Sequence, residues 1–153
     1  MNKVKAYMDR LVDWTCVVLL SVATVVCFYQ VVARYVFSAP PTWSEEVARY
    51  AFIWLTFLGS ALAFRAGAHL GMDAVTSTLP RQARRVVALL SSAILLTLLG
   101  FMMWQGRLVV SFVTRQLSPA MRLSMSIPYA AIPVGAFFMF VEVLWNAARV
   151  LRE

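Results

Sequence analysis

Charge is scarce in this chain, and four long stretches exclude it altogether. Of 153 residues, 14% are Asp, Glu, Lys or Arg and 61% are hydrophobic, whereas an ordinary soluble domain is about 25% charged. Histidine occurs once, at His69, and cysteine twice. A single histidine denies the chain the paired imidazoles of a bundle-held haem. No spacing of His, Cys or carboxylates assembles a metal site. Ser/His/Asp and Cys/His sets, phosphate loops and dinucleotide-binding glycine patterns are missing too, so the expectation is no enzyme, no cofactor and no metal. Cys16 and Cys27 are eleven residues apart in one apolar run, about 16 Å along a helix and beyond disulfide reach. They read as small packing residues.

What is present is apolar length. The charge-free runs are 14–33 (20 residues), 50–64 (15), 86–106 (21) and 123–141 (19). A bilayer core of about 30 Å takes about 20 helical residues, so three runs suffice as they stand. The second extends backwards to the Pro40-Pro41 pair. Thr42 is an expected N-cap there, with Glu45 three positions on as the other half of a capping box. Long unbroken runs exclude a β-barrel, whose strands alternate over about ten residues. The first run exceeds the h-region of a signal peptide and is expected to be a retained span. The predicted fold is all-α, a single domain over residues 1–153 with four transmembrane helices near 12–35, 43–66, 82–106 and 123–145. Short interfacial helices are accommodated between them, and Pro128 and Pro133 are expected to kink the last span.

Basic residues set the orientation. Nine (Lys3, Lys5, Arg10, Arg65, Arg81, Arg84, Arg85, Arg149 and Arg152) share a side with both termini, against five (Arg34, Arg49, Arg107, Arg115 and Arg122) on the other. The richer side is expected to be cytoplasmic, placing both termini inside. The net charge of +7 is then a matter of topology and lipid headgroups, not of nucleic acid.

An autonomous transporter usually carries ionisable groups at mid-membrane or helices broken in matched halves. None of the four runs has an ionisable centre. Glu142, near the end of the last span, is expected to pair with a neighbouring arginine, and a proton-coupling role is the lesser reading. Gln30 is the polar residue of the first span. Packing features stand out instead. Gly59, Ala63, Gly67 and Gly71 recur every four residues, a stripe that admits close helix approach, either within the chain or against another subunit.

The start of the second span is the most distinctive segment. Glu45 and Glu46 lie in its first turn, where the helix dipole favours carboxylates, and Glu45 and Arg49 form an i,i+4 pair in the favourable order. Trp43, Glu45, Glu46, Arg49 and Tyr50, followed by Trp54, Phe57-Leu58-Gly59, Arg65 and His69, resemble the signature of the small membrane subunit of TRAP transporters, the DctQ-like family. The resemblance continues through Asp73, Leu79-Pro80, Ser118-Pro119, Ile127-Pro128 and Ile132-Pro133-Val134-Gly135.

The resemblance implies a tripartite, ATP-independent importer of organic acids in a bacterial inner membrane. A periplasmic binding protein would deliver substrate to a large sodium-coupled membrane subunit, and this chain would be the non-catalytic scaffold beside it. Trp43, Glu45, Glu46, Arg49 and Tyr50 become the candidate partner interface, and Gly59, Ala63 and Gly67 the candidate helix-packing residues. Arg65, His69 and Asp73 become candidate structural residues of the inner loop. The alternative is an autonomous four-helix transporter or channel working as a homo-oligomer, and a haem- or quinone-binding respiratory anchor is a third reading.

Overall fold

The computed structural model describes residues 3–39, 41–66 and 80–152. Those residues are mostly helical. Helix α1 is Lys3–Tyr35, α2 Thr42–Arg65 and α3 Arg81–Phe112; a short α4, Ser126–Tyr129, leads into α5, Ala131–Arg152. Four segments, with α4 and α5 forming one, are long and apolar enough to cross a membrane. His69, Asp73, Gly67 and Gly71 lie outside the described residues.

Two helices outrun the predicted spans. α1 has 33 residues and α3 has 32, about 50 and 48 Å at 1.5 Å per residue. Both exceed the hydrocarbon core. α3 continues past 106 and takes Arg107 into the helix, with its guanidinium 5.8 Å from the Trp104 ring centre one turn back, a cation–π contact.

The α1–α2 turn is tight. Ser38 takes a left-handed φ of 50°, which lets Ala39 N–H donate back to Ala33 O at 3.2 Å. The expected capping box is not formed. The N-cap is Pro41, and no side chain caps the helix. Proline offers neither a side-chain acceptor nor the N–H that a Glu three positions on would reach back to. Ser44 Oγ instead donates to Pro41 O at 2.7 Å, which leaves the first-turn N–H groups without a side-chain cap.

At the other proline-rich segment, Pro133 has no N–H for Tyr129 O and its ring crowds that carbonyl. The helix breaks there, at Ala130, between α4 and α5. Pro128 is in the first turn of α4, where no N–H is required.

The order of packing is α1 against α2, α2 against α5, and α5 against α3. The helices thus form a flattened layer with α2 and α5 central and α1 and α3 on the flanks. α5 buries Ala131, Gly135, Ala136, Met139, Glu142 and Val143, a stripe at helical spacing. Ala61 and Leu99 complete its core with α2 and α3. A second cluster, Val12, Cys16 and Leu58, joins α1 to α2.

Two glycines set the interhelical distances. A Cβ at Gly135 would lie 2.5 Å from Phe57 Cβ, and one at Gly106 would lie 2.9 Å from Pro133 Cδ. Gly59 has open space where its Cβ would be, and Ala63 is exposed. The two described residues of the predicted small-residue stripe, Gly59 and Ala63, therefore face away from the other described helices.

Candidate functional site

Polar side chains within the helices mostly close on their own backbone. Thr15, Ser21, Thr24, Thr56, Ser60, Ser92 and Thr97 each donate to the carbonyl four residues earlier, the usual way to satisfy a hydroxyl in hydrocarbon. The charged chemistry is concentrated at the two ends of the layer.

At the end holding the α1–α2 turn, Glu46 is the organising residue. It is buried with 6% exposure, and its carboxylate accepts from Ala120 N at 2.8 Å and Met121 N at 3.0 Å. Both donors follow Pro119 in the connection between α3 and α4. That connection is a folded hairpin. Leu117 and Ser124 form an antiparallel bridge, Met125 N donates to Gln116 O at 2.8 Å, and Ser118 N donates to Leu123 O at 2.8 Å. The Ser118 side chain is buried and its Oγ accepts from Leu123 N. Trp54 Nε1 donates to Ile127 O at 3.2 Å, and Tyr50 Oη lies 3.5 Å from Met125 Sδ. α2 thus carries the hairpin on one face.

The residues predicted as one partner surface are divided by the fold. Glu46 turns inward and Tyr50 is half-buried, while Trp43, Glu45 and Arg49 are exposed. Glu45 accepts from Gln30 Nε2 at 3.3 Å and forms no ion pair with Arg49 among the described residues. Trp43 stacks on Tyr29, ring centres 5.9 Å apart.

At the end holding the termini, Lys5 bridges helices. Its Nζ lies 2.8 and 2.9 Å from the two Glu142 oxygens and 3.3 Å from Asp9. It is also 5.7 Å from the Trp145 ring centre. Arg65 donates to Asp13 at 2.5 Å and lies 3.9 Å from Asp9. Glu142 was expected to pair with an arginine; its partner is a lysine, because α1 extends far enough to bring Lys5 beside α5. Lys5, Asp9 and Asp13 recur every four residues, so their shared face was readable. Which helix met that face was not. A cleft between Lys5, Asp9, Arg65 and Glu142 is otherwise lined by apolar side chains such as Val12 and Phe138. The described residues hold no group of three or more His, Cys, Asp or Glu placed to bind a metal ion.

Residues 23–153 match the family model for the DctQ component of tripartite ATP-independent periplasmic transporters. This chain belongs to that family. A TRAP transporter small permease protein of Haemophilus influenzae is 26% identical over 151 residues, 99% of this chain and 92% of its own. The sialic acid TRAP transporter small permease protein of Vibrio cholerae is 27% identical over 142 residues, covering 87% of this chain and 79% of the relative. A third relative, the isethionate TRAP transporter permease protein of Oleidesulfovibrio alaskensis, is 29% identical over 117 residues, 75% of this chain but 18% of its own much longer one. The DctQ-family match takes in the turn, the Glu46 hairpin and the α5 stripe together.

Proposed function

We propose that this DctQ-family chain is the small, non-catalytic scaffold subunit of a TRAP-type secondary transporter that imports organic acids. Its partners are a large sodium-coupled membrane subunit and a periplasmic substrate-binding protein. It lies in the bacterial inner membrane with both termini cytoplasmic, which places the Glu46 hairpin on the periplasmic side.

The observation that carries this reading is the placement of charge. Every ion pair among the described residues lies at the terminal end of the helix layer, and the spans between the ends carry hydroxyls closed on their own helices. A substrate or ion path would need free polar groups at mid-membrane. Large apolar side chains such as Phe28, Ile94, Phe101 and Trp104 point outward from α1 and α3, and these flanks suit lipid or another membrane subunit. The fused permease among the relatives, in which a segment like this chain is a small part, supports a large-subunit partner.

Reconstitution tests the reading. Sodium-driven uptake into liposomes should require this chain, the large subunit and the binding protein together. Uptake by this chain alone would instead establish an autonomous transporter.

A further inference from the structure

We propose that the hairpin 116–125 is a preorganised docking element for an acidic protein surface on the periplasmic side, and that Glu46 is the positioning residue that holds its shape. The proposal rests on the orientation and partnership put forward above and names the surface through which the soluble partner is met.

The connection is longer and more structured than a link requires. Thirteen residues separate Phe112 from Ser126, whereas neighbouring helices are commonly joined by about 2–8. Its backbone is overdetermined. Besides the Glu46 bonds, Arg122 N donates to Ser118 O at 3.2 Å and Ser124 Oγ donates to Thr114 O at 2.8 Å. Within this frame Arg122 is held at a φ of 55°. A left-handed arginine is costly, and such strain persists only where surrounding contacts impose it.

The fixed hairpin is also exposed. Leu117 is 56% and Leu123 38% accessible, and Arg115, Pro119, Ala120 and Arg122 are exposed beside them. An apolar centre with a charged rim is the composition of a protein contact. The charge is one-sided: five arginines lie at this end of the chain against Glu45 and Glu46, and Glu46 faces the hairpin amides. The matching surface is therefore acidic. A fluid headgroup layer needs only mobile basic side chains, whereas a rigid, strained backbone lowers the ordering cost of meeting a partner of fixed shape. That difference favours a protein over lipid.

The test uses the assembled transporter in liposomes of zwitterionic lipid, with sodium-driven uptake followed as its own substrate-binding protein is titrated. R115E combined with R122E should raise the half-saturating concentration of binding protein at least tenfold while the large subunit still copurifies. E46Q should raise it several-fold and accelerate deuterium exchange at the Ala120 and Met121 amides, a change that loss of charge at the surface alone would not produce. Unchanged half-saturation in the double arginine variant overturns the proposal. So does a defect that appears only when anionic lipid is included, which would assign the hairpin to headgroups. A wild-type chain that forms no complex, or that transports without the binding protein, overturns the functional reading and the docking proposal with it.

Discussion

Gly135 of α5 lies so close to Phe57 of α2 that a Cβ on the glycine would meet Phe57 Cβ at 2.5 Å and the Phe57 backbone at 3.2 Å. The central helix pair of the layer is drawn together at this point, and the contact distinguishes two kinds of small residue in the chain.

Gly135→Leu should therefore destabilise the isolated subunit, because overpacking a tight contact costs about 1–3 kcal/mol or more. A Cβ at Gly59 would meet nothing within 4 Å, so Gly59→Leu, pointing into that open space, should leave the subunit's thermal stability in detergent unchanged. If the Gly59 face serves a partner, Gly59→Leu lowers recovery of the complex instead. Equal melting losses in both variants would contradict the packing described.

Gly106 offers a second test of the same layer. Its Cβ would press on the Pro133 ring and Ile132, so Gly106→Val should lower the melting temperature, by about 1–3 kcal/mol of stability. Gly100→Val, on the same helix with nothing within 4 Å, is the control and should melt like wild type.

The Lys5–Glu142 pair predicts non-additivity. Both side chains are about nine-tenths buried, so Lys5→Met strands a carboxylate and should cost about 3 kcal/mol. Lys5→Met with Glu142→Gln removes both charges and should recover most of that loss. Additive losses in chemical denaturation would show that the pair is not coupled.

Trp54→Phe should cost about 1 kcal/mol by removing the hydrogen bond to Ile127 O, with the hairpin loosened on its α4 side. Hydrogen exchange at residues 125–130 reports it. Unchanged exchange would show that the Trp54 bond does not help to hold the hairpin.

Topology is checked by reporter fusions after Glu153 and beside Pro41. Opposite sides are expected, with the Glu153 fusion cytoplasmic. A periplasmic Glu153 reporter would invert the arrangement and move the hairpin to the cytoplasm.

What the sequence determined by itself is the set of four spans, although α1 and α3 run beyond the ends it suggested. Apolar length, prolines 40, 41, 128 and 133, and the confinement of charge are local properties that act on each helix separately. They located the four spans and the interrupted last one. Only the tertiary structure decided which face of each helix turned inward. In water, hydrophobic periodicity would mark that face. In a bilayer, lipid is as apolar as the protein core, so Gly59 and Gly135 look alike in sequence although one faces outward and the other fixes a helix crossing. The same holds for Glu45 and Glu46. They are adjacent carboxylates in one helical turn, about 100° apart around the axis. One meets Gln30 at the surface, while the other is buried against two backbone amides 74 and 75 residues away. Backbone donors carry no mark in the sequence, so that pairing exists only in the folded chain.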